Sequence, residues 1–343
     1  MTKQTKQHGL ALITVLMVVA LASVIALTMT ERLQTLMQRT MAVNTLSGAK
    51  WVNIGAEGFA INVLKQDFKD SPSKTHLEQY WASGEAVFPV GDSGMFTGEL
   101  KDLNGCFNLN GVQISATKDT NQNPSEREKT VKQFIALIES YEIDTYQAEI
   151  MADSLFDWLD KDSIVNYSSG AEDSEYSGNI YPYVAANSPL ADLGELRAIK
   201  GFSQENIEKI LPAVCVIPAE TKMLINVNTV EEAAIFVGIF EPNLTLDQAQ
   251  SLISERPEDG WNSVAEMLSS STLSGIEVST AVKEQLIVIS EYFMLQAETQ
   301  SESGTNLYTE SILKKHNKEW LVIGRRFGGK IERIPDPETA EQF

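Results

Sequence analysis

Apolar residues run without a charge from Gly9 to Met29, G-L-A-L-I-T-V-L-M-V-V-A-L-A-S-V-I-A-L-T-M, behind a short leader carrying Lys3, Lys6 and His8. A helix of roughly twenty such residues spans a hydrocarbon core of about 30 Å. Basic residues ahead of the run favour a cytoplasmic N-terminus, with everything after Glu31 on the far side. Beyond the run the three- and four-residue period continues through Leu33, Leu36, Met37, Val43, Leu46, Val52, Ile54, Phe59, Ile61 and Leu64. This predicts one helix to about Phe68, half of it lipid-facing, ended by Ser71-Pro72-Ser73. Gly48, Gly55 and Gly58 weaken its interior and suggest bends or close packing on a sheet.

The period then changes. G-E-A-V-F-P-V, G-M-F-T-G-E-L-K-D-L and C-F-N-L-N read as short strands between glycine turns. From Pro124 the chain reads as helices, the first opened by Ser125 and Glu128 as a capping box. Others fit 144–159, 192–199, 203–214, 230–240, 246–255 and 263–268. Strand character returns in S-E-Y-F-M-L-Q-A-E and in a hairpin about His316-Asn317-Lys318-Glu319. The order predicts an α+β fold, a long helix packed on an antiparallel sheet that a large all-α insertion interrupts. Two stretches of the insertion each place a glycine, Gly201 or Gly260, between helical segments, like helix-hairpin-helix or SAM-like units. Glu205, Glu208, Glu258 and Asp259 beside these turns would repel phosphate, so the units suit packing rather than nucleic acid.

The apolar run admits three readings: secretory signal, simple anchor, or prepilin leader with pilin helix. A-L-A-S at residues 20–23 is a poor signal-cleavage site within a longer apolar stretch. Q-H-G-L-A-L-I-T-V-L resembles a prepilin junction, which implies cleavage after Gly9 by a prepilin peptidase and methylation of the new N-terminal Leu10. Pilin-like proteins usually carry glutamate five residues into the mature chain; Thr14 stands there. That carboxylate neutralises the terminal amine of the subunit above, and an unpaired charge in hydrocarbon costs about 2.5 kcal/mol or more. A subunit without it suits only the top of a fibre. A formal net charge of −20 and three histidines disfavour binding to nucleic acid. Cys106 and Cys215 lack partners at zinc-ligand spacing. In an oxidising compartment they read as a disulfide, otherwise as two buried thiols.

In combination and order, the G-L-A-L-I-T-V-L leader, D-L-N-G-C-F-N-L-N, A-D-S-L-F-D-W-L-D-K-D, G-A-E-D-S-E-Y, A-N-S-P-L-A-D-L-G-E-L, I-N-V-N-T-V and S-E-Y-F resemble the minor pseudopilin K family of the type II (general) secretion pathway. The resemblance covers nearly the whole chain. It implies a leader at 1–9, a transmembrane half-helix at 10–30, a pseudopilin domain at 31–111 and 290–334, an inserted α-domain at 112–289 and a disordered tail at 335–343. It also implies a non-enzymatic subunit, anchored in the inner membrane with its globular part periplasmic. Such a subunit caps the pseudopilus with pseudopilins I and J, starts its assembly and meets secretin or exported cargo.

D-W-L-D-K-D-S-I-V-N-Y-S-S-G-A-E-D-S-E-Y is the stretch richest in chemistry. Asp157 and Asp160 lie one turn apart, Asp162 follows, and Glu172 and Asp173 return after a Ser/Gly-rich loop. Hard oxygen ligands on a flexible loop suit Ca²⁺, although the spacing is not that of an EF-hand. The resemblance, in whose family the α-domain binds calcium, implies Asp160, Asp162, Glu172 and Asp173 as ligands. Two other readings are a solvated acidic loop and a glycosidase-like carboxylate pair. The alternative function is a membrane-anchored periplasmic calcium-dependent binding or hydrolytic protein whose prepilin likeness is misleading.

Overall fold

The computed structural model describes residues 8–90, 94–112, 127–301, 304, 306–317 and 319–328, with side chains from 11 onward. Ser125, Lys318 and the tail at 335–343 lie outside the described residues. Helix α1 (His8–Asp70) runs for 63 residues without a break, about 95 Å at 1.5 Å per residue. Its most apolar window has a mean hydropathy of 2.7 and no buried side chain. It ends before Pro72, which cannot supply the next amide. The expectation of close packing at its glycines does not hold. Nothing lies within 4 Å of where a Cβ would sit at Gly48, Gly55 or Gly58.

Strands β1 (Ala86–Pro89), β2 (Met95–Asp102), β7 (Tyr292–Gln300), β8 (Asn306–His316) and β9 (Glu319–Gly328) form one antiparallel sheet in that order. The C-terminal half of α1 lies on one face of it. Ala60 and Leu64 pack with Trp81, Phe96, Phe293, Leu295, Leu313 and Trp320. Two polar side chains one turn apart fix the helix on the strands. Asn53 donates to Thr309 Oγ1 at 2.9 Å and to the Leu307 carbonyl at 3.1 Å, and accepts from Thr299 Oγ1 at 2.6 Å. Glu57, nearly sealed from solvent, takes a two-pronged bond from Arg325 at 2.5 and 2.7 Å and a third from Ser311. Arg325→Ala should therefore cost about 2 kcal/mol, less than a fully buried pair because the guanidinium is part-exposed. Thermal unfolding of R325A beside Glu57→Gln/Arg325→Met reads it, since the double change removes the orphaned charge; equal losses in both would show that charge plays no part.

Between β2 and β7 the chain forms β3 (Phe107–Asn108), α2 (Lys129–Glu139), α3 (Thr145–Leu159), α4 (Asp173–Tyr176), α5 (Gln204–Ile210) and β4 (Val214–Cys215). It continues as β5 (Ile225–Asn226), α6 (Ala233–Ile239), α7 (Leu246–Glu255), α8 (Val264–Leu268), α9 (Thr280–Lys283) and β6 (Leu286–Ile287). The segment is not purely helical, because β3 pairs β4 and β5 pairs β6, each in parallel. Asn187, Asn317 and two other non-glycine residues take positive φ. Helix α2 starts at Lys129 with Glu128 at its N-cap, three residues later than the capping-box expectation. Residues 107–111, grouped with the first sheet segment by the sequence, send Phe107 and Leu109 into the helical core beside Phe134, Leu155 and Phe236, as Val112 does after them.

Both hairpin glycines are fixed by contact. Gly201 (φ +90°) and Gly260 (φ +73°) have no room for a Cβ, which would lie 2.8 Å from Ile150 and 2.6 Å from Asn228. Each turn is also covered by the chain itself. Gln147 donates to the Gly201 carbonyl at 2.7 Å, and the Lys74 ammonium reaches the Gly260 carbonyl, Asp259 and Asn262.

At the junction of the two cores sits Asp102, half-buried. It accepts from Ser290 Oγ at 2.5 Å, Thr229 Oγ1 at 2.6 Å and the Asn104 amide at 2.8 Å. Burial raises its carboxyl to about 6 despite these bonds. Asn104 and Asn226, from the D-L-N and I-N-V-N motifs, tie the same junction through the Leu224 and Thr75 carbonyls.

Candidate functional site

Helix α3 carries the site's first residues. Asp144 caps it, accepting from the Gln147 amide at 3.1 Å. From Met151 to Leu159 the helix is buried on every side, with Asp153 and Asp157 opposite Met151, Leu155 and Trp158. Asp153 is met by Arg127, which binds it at 2.8 and 3.0 Å and Glu149 at 2.8 Å. Asp157 has no such cation. Beyond α3 the chain turns on Asp160 and Asp162, whose Oδ1 atoms accept from the amides two residues on. It returns at Glu172, the N-cap residue of α4.

Asp157, Asp160 and Glu172 thus come together, each offering an oxygen within 4.8 Å of the others. Asp157 is fully buried and Glu172 is 2% exposed. Asn166 alone threads between them, its side-chain amide donating to Asp157 Oδ1 at 3.1 Å and Asp160 Oδ2 at 2.7 Å. Among the described residues, Asp157 Oδ2 and both oxygens of Glu172 have no hydrogen-bond partner. At Gly170 a Cβ would fall 2.0 Å from Asp157 Oδ2, so only glycine lets the loop pass over the cluster.

Burial, then the neighbouring carboxylates Asp157 and Asp160, pushes Glu172 up to about 7. Burial likewise brings Asp157 to about 6 and raises Asp160. Three buried oxygens without donors are costly as anions. The donor set is all hard oxygen, which fits a divalent cation such as Ca²⁺ with water or backbone carbonyls completing its shell.

Two of the four residues assigned as ligands from the sequence fall in this cluster, Asp160 and Glu172. Asp162 and Asp173 do not. Asp162 closes its own turn through the Ile164 amide, and Asp173 accepts from the Ala185 amide at 3.0 Å, holding the loop at 185. Asp157 takes their place. Its signal in the sequence is a carboxylate enclosed by the apolar run L-F-D-W-L, which leaves α3 no solvated side at that point.

Cys106 and Cys215 are joined in a disulfide, Cα atoms 5.8 Å apart, beside Leu103, Ile217 and Tyr292. Gly9 and Leu10 lie in the first turns of α1. Thr14 Oγ1 donates to the Ala11 carbonyl at 2.9 Å, satisfying its hydroxyl within its own turn. Further along α1, Leu33, Leu36, Met37, Met41, Val43 and Trp51 stand exposed beyond the apolar run. Their spacing covers several sides of the helix, more apolar surface than a solitary helix leaves in water.

Profiles described as "Type II secretion system (T2SS), protein K" match residues 105–219 and 225–290. Type II secretion system protein K of Aeromonas hydrophila is 35% identical over 336 residues, 95% of this chain and 98% of that protein. The Klebsiella pneumoniae protein of the same name is 34% identical, covering 94% of this chain and 97% of its own. A chain in the crystal structure of the GspK-GspI-GspJ complex from enterotoxigenic Escherichia coli superposes with a TM-score of 0.74 at 31% identity, covering 85% of this chain and all of that one. The long helix on an antiparallel sheet, the helical segment between its strands and near full-length identity agree: this chain belongs to the type II secretion system protein K family.

Proposed function

We propose that this chain is the minor pseudopilin at the tip of the type II secretion pseudopilus, where with pseudopilins I and J it initiates assembly and supports export of folded proteins across the outer membrane. The observation that carries the reading is the exposed apolar stretch of α1 from Leu33 to Trp51, which needs neighbouring helices to cover it. The solved relative is a complex with two such pseudopilins. Thr14 supplies no carboxylate for a terminal amine above it, and the helical segment of 112–289 is too bulky to be stacked over within a thin fibre. Both features suit the end of a fibre and neither suits its shaft. The role is structural, not enzymatic. The helix is placed in the inner membrane, N-terminus in the cytoplasm, with the globular part in the periplasm.

Within that segment the two glycine hairpins act as SAM-like packing units, consistent with Lys74 and Gln147 occupying their turns. Ca²⁺ is assigned to Asp157, Asp160 and Glu172, supported by the partnerless oxygens. Its part is to neutralise the cluster and hold the end of α3 to the start of α4.

Co-purification from membranes tests the assembly. Photo-crosslinks from Met37 and Trp51 should reach pseudopilins I and J, and labelled chain should mark one end of the pseudopilus. Regular labelling along the shaft would sink the placement.

Prepilin peptidase is expected to cut between Gly9 and Leu10, with Leu10 then N-methylated. Gly9→Leu should leave nearly all the chain at precursor mass and stop secretion. Mass spectrometry of the N-terminus decides it: normal processing of that variant would remove the prepilin reading.

A further inference from the structure

The loops rooted at the carboxylate cluster carry large apolar side chains that nothing covers. Ile180 is 93% exposed and Tyr181 85%, and Ile164, Val165 and Val184 are also exposed. Isolated exposed aliphatics are ordinary on protein surfaces; five on two joined loops are not. The loops are knit together, since Asn187 donates to the Asp162 carbonyl at 2.7 Å and the Ala185 amide to Asp173 at 3.0 Å. Beneath them Tyr183 stacks on Tyr176, their ring centres 5.2 Å apart, and its hydroxyl bonds the Ala198 carbonyl at 2.8 Å. The apolar tips therefore stand on a braced base.

Charge decides what covers them. Asp160, Asp162 and Asp173 border the loops against Lys161, Glu175 is paired with Lys200 at 3.4 Å, and the chain carries a net charge of −20. A second copy would set two acidic rims face to face, and an anionic bilayer would be repelled in the same way. We propose that residues 160–166 and 178–187 form a docking surface for another protein, through a segment with aliphatic side chains flanked by lysine or arginine. The aliphatic groups cover Ile180, Tyr181 and Val184 while the cations meet the acidic rim. This rests on the cation reading only in part: Asp160 and Glu172 sit at the roots of the two loops, so a bound ion would steady the surface without making its contacts.

The test uses the full chain in nanodiscs, with empty nanodiscs as blank, and a labelled peptide alternating leucine and lysine. Binding is expected in calcium, with Ile180→Ser/Tyr181→Ser weakening it roughly tenfold or more, as loss of two apolar contacts implies. Peptides alternating serine with lysine, or leucine with glutamate, should bind at least as weakly. Undiminished binding by the double variant, or equal binding of the serine–lysine peptide, would overturn the proposal. So would self-association in sedimentation velocity that the double variant abolishes, because the occupant would then be a second copy. Calorimetry with calcium alone keeps the two readings apart. Calcium binding without peptide binding removes the docking surface and keeps the ion; peptide binding lost in the double variant, with no calcium heat, does the reverse.

Discussion

Replacing Cys106 and Cys215 together with alanine is expected to lower stability by about 4 to 5 kcal/mol, the chain-entropy value for a loop of roughly a hundred residues. The bridge closes 109 residues of sequence. It lies where β3 and β4 exchange their few ladder bonds, Phe107 opposite Val214 and Asn108 opposite Cys215. Two-residue strands cannot hold that register alone, so the loss should concentrate there. Denaturant unfolding of the oxidised and double-variant proteins gives the magnitude, and amide exchange at 103–108 and 213–217 gives the location. A change below about 1 kcal/mol would mean that the surrounding core, not the bridge, restrains the loop.

The second large effect is that of calcium, and it depends on pH. At a free concentration a hundred times its dissociation constant, the ion should add about 2.7 kcal/mol to the stability of the chelator-treated protein. Asp157 and Glu172 titrate near 6 and 7 when no cation is present, above the ordinary carboxylate range. Groups raised in this way stabilise the ion-free fold most below their unfolded values, and that contribution is lost as pH rises through about 6 to 7. Calcium binds the charged forms, so its affinity should fall as pH drops through the same window. The stability curves with calcium and with chelator are therefore expected to separate above about pH 7 and converge toward pH 5. Glu172→Gln should bring them together at all pH values, while Asp162→Asn should leave them apart. Equal thermal stability with calcium and with EDTA at pH 8 would defeat the structural ion.

How far the sequence discloses this molecule depends on how local the information is. The long helix, the end strands and α7 at 246–255 were legible because each is set by its own periodicity. The carboxylate cluster was half legible: Asp160 and Glu172 stand out as acidic residues at a helix end and a loop return. Asp157 did not, since its membership follows from α3 being buried on all sides at 151–159. Asp162 and Asp173 look like ligands in composition, yet they hold turns, a difference decided by which backbone amides lie within reach. The bonds from Asn53 and Glu57 to the sheet span some 250 positions and have no local signature. That Phe107 and Leu109 pack in the helical core was hidden for the same reason, because a strand's pattern does not tell which core it joins.

Asp102 pairs with Phe293, and the Leu103 amide bonds the Tyr292 carbonyl at 3.0 Å. The chain thus leaves the sheet and re-enters it from positions as close as the two ends of an ordinary hairpin turn. To the five strands, everything between enters and leaves at that spacing, and it is further tied to them where Arg326 meets Asp192 and Tyr292 meets Glu220. The register that seats the long helix is therefore closed across a single short gap, and the inserted segment can be built there without adding a strand to the sheet.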